Sequence, residues 1–330
     1  MAVVFIEGFD HYLGGSAITK GWNGNFGTSP AGRFDGFAAR FAATATQRTH
    51  GLPSSYATII AGYAFRASTS PPASTFDTFV FQAGAVLTCR IGVNLSGFIV
   101  VRNSGGTVIA TGTSALIANA WNYIEVKLFV NGASGTVEVH LNGVTEIAST
   151  TGNFGSTNID TIGINQTTSN SNTDYDDMYV LDTTGSSPRN TFLGDVRVET
   201  IYPTGAGAHT QWTPDSGSNW ARVSEAQADG DTSYVADGTP NDLDSYVFGD
   251  IDGGATVYGI QTNLYARKDD AATRQIANLI RQASTDYIGS TVTLSSSYAF
   301  FSQLYNQDPT AADWTATNIN ADEFGIKEIA

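Results

Sequence analysis

The chain has 330 residues, enough for two domains that each bury a core. Its net charge of −15, from 16 Lys and Arg against 31 Asp and Glu, repels a phosphate backbone and anionic membrane surfaces alike. No stretch reaches the roughly 20 apolar residues of a membrane-spanning helix, so neither nucleic-acid binding nor membrane insertion is expected.

Charged residues make up only 14% of the chain and glycines number 35, a profile of short strands joined by tight turns. The opening "MAVVFIEGFDHY" lacks a basic leader, and Glu7 and Asp10 interrupt its apolar run, so no secretory signal is expected. Trp22 in "KGWNGNFG", beside the Asn23 amide, and Trp212, Trp220 and Trp314 are candidates for holding a sugar by an aromatic face, with packing at domain ends the favoured reading. The single cysteine, Cys89 in "AVLTCRIGV", excludes an internal disulfide framework and a thiolate zinc cluster and reads as a small core residue of a strand.

Period-2 alternation then dominates. "FIVVRNSGGTVIATG" is a hairpin turning at Asn103 to Gly106, and Trp121 opens the next strand as a core residue. In "WNYIEVKLFV", Ile124, Val126, Leu128 and Val130 point to the core, while Tyr123, Glu125, Lys127 and Phe129 face a largely wet side. After "NGASG", Val137, Val139 and Leu141 turn inward, Glu138, His140 and Asn142 outward, and Asn142-Gly143 closes a further hairpin.

The polar run "TTGSSPRNT" reads as a linker over 185–192 between a first domain, 1–184, and a second, 193–330. Beyond it "GDVRVETIYP", "TVYGIQTNLYARK", "SSYAFFSQLY" and "DEFGIKEIA" are strand candidates. "AATRQIANLIRQAS" fits strand or helix, with strand favoured by the hairpin-like loop before it. The fold class is therefore all-β, two antiparallel β-sandwich domains of jelly-roll type in tandem.

The order "WNYIEVK", "GTVEVHLNG", "IDTIGIN", "YDDMYV" resembles the laminin G-like, concanavalin A-like jelly-roll family, over roughly the first half of the chain. "FIEGFDHY", "YDDMYVLD" and "FLGDVRVETIYPTGAG" together resemble virion proteins of tailed bacteriophages, in which such a domain precedes a second β domain. The resemblance implies a virion subunit made in the host cytoplasm, a homo-oligomer partnered by capsid or tail proteins. The jelly-roll family also includes lectins and glycosidases, so a host surface glycan is the other expected partner.

In a regular strand Asp176 would share a face with Met178 and Val180, and Asp177 with Tyr175, Tyr179 and Leu181, so the pair could not flank one glycosidic bond. The family's acid run at alternating positions is also missing, and no catalytic residues are expected. Asp176 reads as an acceptor for loop main chain, and Asp174, Asp176 and Asp177 alternatively as oxygen ligands of a calcium ion, the one cofactor under consideration. The paired acids Asp229 and Asp231, Asp242 and Asp244, and Asp250 and Asp252 read as solvated loop charges, and no histidine has metal-ligand spacing. Two roles follow: a non-enzymatic virion component, capsid decoration or tail-associated, or a carbohydrate-binding adhesin.

Overall fold

The structure is a computed structural model describing residues 3–12, 20–42, 47–164 and 172–330; Met1, Ala2 and Asn165 of the phrases above lie outside them. It is nearly all β, every strand pair is antiparallel among the described residues, and the chain divides into two compact units, Met1–Val198 and Glu199–Ala330.

The strands of unit 1 are β1 (Val3–Glu7), β2 (Ala39–Phe41), β3 (Arg48–Tyr56), β4 (Thr58–Ala67), β5 (Phe76–Ala83), β6 (Val86–Val93), β7 (Phe98–Arg102), β8 (Val108–Ala115), β9 (Asn122–Phe129), β10 (Gly135–Leu141), β11 (Val144–Gly152), β12 (Ile159–Ile164) and β13 (Thr173–Leu181). One sheet runs β1-β13-β4-β9-β10-β11, with β2 also on β13, and the other β3-β12-β5-β6-β7-β8. Between them lies one continuous core that includes Phe65, Phe79, Ile91, Val101, Ile124, Val126, Leu128, Val130, Val137 and Val139, so the alternation of β9 and β10 places its apolar side inward. Cys89 is buried in that core. Asn142 and Gly143 both take positive φ, 50° and 78°, the geometry of a tight hairpin turn.

The other side of the first sheet is not wet at its centre. Tyr123 and Glu125 are as buried as their inward neighbours, because two segments lie across them: the loop around Arg33 and the run after β13. The Gly194 N–H donates to Glu125 Oε1 at 2.9 Å, the Leu193 N–H to the Tyr179 hydroxyl at 3.2 Å, and the Phe192 ring packs 3.9 Å from that of His140. His140 is thus covered, not solvated. The polar run at 185–192 therefore leads into a strap on unit 1, and the division falls after Val198, later than composition suggests. Trp121 precedes β9 and is only half-buried, with the Arg66 guanidinium 4.4 Å from its ring.

Unit 2 contains β14 (Pro203–Thr210), β15 (Thr213–Pro214), β16 (Val235–Ala236), β17 (Leu243–Phe248), β18 (Ile260–Ala266), β19 (Gln275–Gln282), β20 (Thr285–Thr293), β21 (Ala299–Tyr305), the short helix α1 (Ala316–Ala321) and β22 (Glu323–Glu328). The ambiguous segment is strand β19, between β22 and β20 in a five-stranded sheet, β14-β17-β22-β19-β20. A ribbon, β18-β21, supplies the opposing layer: Leu264 and Phe301 pack on Ile276 and Ile326, and Ile260 and Tyr305 on Ile280 and Phe324. "GDVRVET" forms no strand, since its residues belong to the strap. Asp244 is fully buried, its Oδ2 accepting from Asn219 Nδ2 and the Tyr246 hydroxyl, both at 2.7 Å, so it is no loop acid.

Gly62 of β4 lies beneath the Tyr179 ring, where an added Cβ would sit 2.2 Å from a ring carbon. Gly62→Ala is expected to push that ring off Glu125 and lower stability by about 1–3 kcal/mol, read as a lower thermal midpoint.

Candidate functional site

Three places bear on function: the carboxylates of β13, the loop carrying Trp22, and a groove on unit 2.

Strand β13 is not regular. Opposite β4, Asp176 pairs with Ala64 and Tyr179 with Gly62, so Asp177 and Met178 together face Tyr63 alone. Asp177 takes φ 50°, and the extra residue shifts the alternation. Tyr175, Met178 and Val180 all point into the core, while Asp174, Asp176, Asp177 and Tyr179 bond to groups on the outer side. The expected split of Asp176 and Asp177 onto opposite faces is thus corrected by the bulge.

They share a face, yet they are sealed, at 4% and 2% exposure. Asp176 Oδ2 accepts the Arg33 N–H at 2.7 Å and its Oδ1 the Asp177 N–H at 2.9 Å. Asp177 Oδ1 accepts the Val198 N–H at 2.8 Å, and its Oδ2 lies 3.4 Å from Arg33 Nη1. Arg33 Nη1 also donates to the Val196 carbonyl at 3.3 Å, and Nη2 pairs with Asp195. Burial pushes both carboxyls above the usual range, and the charge each presents to the other adds to it for Asp176. The pair clasps loop and strap to the sheet and offers no open face to a substrate.

Asp174 stands apart from it. Its oxygens bridge Arg40 Nε at 2.6 Å and Arg66 Nη2 at 2.7 Å. The three acids do not fit a calcium ion, since arginines already stand where a cation would and main-chain N–H groups take the remaining lone pairs. Among the described residues no group of three or more His, Cys, Asp or Glu side chains is placed to hold a metal ion.

Trp22 is 3% exposed, with no ring face left for a sugar. Its ring packs on Phe5, Phe9, Phe26 and His50, and its Nε1 donates to Glu7 Oε2 at 3.3 Å. Glu7, fully buried, also accepts from the Phe9 N–H and the Tyr12 hydroxyl and pairs with Lys20 at 3.3 Å. Burial pushes Glu7 up, but Lys20, His11 and these donors outweigh it and hold the carboxyl below its usual range. Asn23 is exposed and bonded across to Thr49. The aromatic-amide reading of Trp22 and Asn23 is replaced by a core ring beside a surface amide. Trp212 and Trp314 are buried in unit 2, and Trp220 is half-buried.

The third place was not singled out by the sequence. On unit 2, between the edge strand β20 and ribbon strand β21, lies a groove of about 420 Å³. Tyr287, Ile288, Gln303, Tyr305, Gln307 and Asp308 are among its lining residues. Gly289 brings the strands together: a Cβ there would lie 2.4 Å from Gln303 Oε1 and 2.6 Å from the Tyr305 hydroxyl. Gln303 Oε1 accepts the Ser290 N–H at 2.9 Å, tying the edge to the ribbon. The Tyr305 hydroxyl is buried without a partner in hydrogen-bond geometry, although Thr262 lies near, and burial pushes it up to about 12. Asp308 Oδ1 accepts from the Thr310 N–H, the Thr310 hydroxyl and the Ala312 N–H; burial pushes this carboxyl up, but those donors hold it below the usual range. The dense aromatics and amides of "TDYIGS" and "YAFFSQLYNQDP" were the available signal, but nothing in either phrase says that they meet.

No protein-family model matches the chain, and no curated protein matches it in sequence. Similar solved structures include the cellulose-induced protein Cip1 (14% identity, TM-score 0.39, covering 55% of this chain and 92% of that one). Others are carbohydrate-binding module CBM66 from Bacillus subtilis (10%, 0.33, 49% and 96%) and the Trypanosoma rangeli sialidase (9%, 0.36, 48% and 26%). These are distant likenesses of outline, and none decides what this chain binds.

The raised Asp176 and Asp177 set a pH dependence. Their carboxyls hold a proton more tightly folded than unfolded, so this stability is greatest at low pH and is lost as pH rises through their folded values. From pH 5 to 8.5 the thermal midpoint of unit 1 is expected to fall by about 3–6 °C, and Asp176→Asn to flatten that slope. A wild-type midpoint that rises over this range contradicts the assignment.

Proposed function

We propose that this chain is a non-catalytic carbohydrate-binding protein, and that the groove on unit 2 is where the sugar sits. The observation that carries the reading is the meeting of two tyrosine rings with two side-chain amides in one groove. Sugar rings offer C–H faces that pack on aromatic rings, and hydroxyls that exchange hydrogen bonds with amides and phenols. The groove is largely preformed, because Gln303 and Gly289 fix the two strands against each other. Hydrolysis by the β13 carboxylates is disfavoured by their enclosure under Arg33 and the strap.

A glycan array probed with the full chain is expected to show saturable binding. Tyr287→Ala should weaken it about tenfold, while Asp176→Asn, remote in function, should not. An array without signal, or a Tyr287→Ala protein that binds as wild type, counts against the groove.

A second reading, a component of a tailed-phage virion that assembles as a homo-oligomer with capsid or tail proteins, rests on the resemblance of the phage-like phrases alone. "FIEGFDHY" builds the Glu7 hub, and "YDDMYVLD" with "FLGDVRV" builds the clasp and strap. The resemblance thus rests on residues that hold unit 1 together. The readings are compatible, since a virion surface is one place for a glycan-binding module. Immunogold labelling of purified particles is expected to decorate capsid or tail, and unlabelled particles count against it.

A further inference from the structure

Resting on the carbohydrate reading, we propose that the unit 2 groove selects neutral glycans and rejects those bearing carboxylates, sulfates or phosphates. Among the described residues no Lys, Arg or His lines the groove, so an anionic sugar would find no counter-charge there. Its one ionisable acid is Asp308, 5% exposed and held as the carboxylate by donors from Thr310 and Ala312. Behind it Gln282 Nε2 reaches Asp308 Oδ2 at 3.4 Å and Asp322 Oδ2 at 3.1 Å, which places a second acid under the same floor.

The cation that neighbours the lining strand is already paired. Arg281, next to the lining residue Ile280, pairs with Asp286 at 2.6 Å, and Asp286 pairs with His209 at 2.9 Å. The surrounding unit strengthens the effect: residues 199–330 carry eighteen Asp and Glu against six Lys and Arg, so they hold −12 of the chain's −15. A negative field over the groove raises the cost of bringing in a second negative charge. A neutral sugar meets no such cost, and the exposed Gln307 amide is a partner for its hydroxyls. Specificity then comes from an element that repels as well as from those that attract.

The test is isothermal titration of the full chain with neutral oligomers of glucose, galactose, mannose and N-acetylglucosamine, followed by the C6-carboxylate counterpart of whichever binds. The uronate is expected to bind at least about tenfold more weakly at low salt, with the gap narrowing at high salt. Gln307→Lys, which adds a cation to the rim, is expected to close most of that gap. A uronate that binds as tightly as its neutral parent overturns the charge selection and leaves the carbohydrate reading standing. Absence of binding by every sugar, neutral or acidic, overturns the carbohydrate reading itself.

Discussion

One residue in a left-handed conformation organises unit 1. Without the bulge at Asp177, the alternation of β13 would carry an aspartate into the core beside Tyr175 and turn Met178 outward. With it, Met178 and Val180 fill the core, and two carboxylates are held on the opposite side of the sheet. Burying polar groups of that kind is costly unless they are hydrogen-bonded. The Arg33 loop and the strap to Val198 are what satisfy it, through main-chain N–H groups and one guanidinium.

The outer layer of unit 1 is therefore a polar lid, not a second oily core. Glu125, Tyr179, Asp177 and Arg33 each contact a segment distant in sequence, which fixes where the chain leaves the sandwich. On the neighbouring strand, opposite Met178, Glu7 does similar work for the N-terminal loop, gathering Tyr12, Lys20 and Trp22 around one carboxylate. The acids that look most like chemistry in this chain thus act as staples. The groove on unit 2 differs, because its lining aromatics stay half-open and the Gln307 side chain is exposed.

Strand placement was legible where alternation was strong and turns carried Asn-Gly. Ile124 to Val130 and Val137 to Leu141 face the core as their spacing requires, and the ambiguous segment became β19. The same rule failed at Asp176 and Asp177, since a bulge inserts one residue without any composition signal. It failed differently at Trp22 and His140, where alternation or loop context suggests exposure but a distant segment covers the side chain.

By itself the sequence determined the all-β class, the strong negative charge and the approximate tandem arrangement, because these follow from local periodicity and composition. Only the tertiary structure decided which carboxylates are buried, that the apparent linker leads into a strap, and that Tyr287 meets Gln303, Tyr305 and Asp308 in one groove. Those are contacts between β20, β21 and the loop that follows, or between β13 and residues over a hundred positions away. Local pattern encodes which way a side chain points from its own strand; what lies opposite it depends on how the layers and loops close.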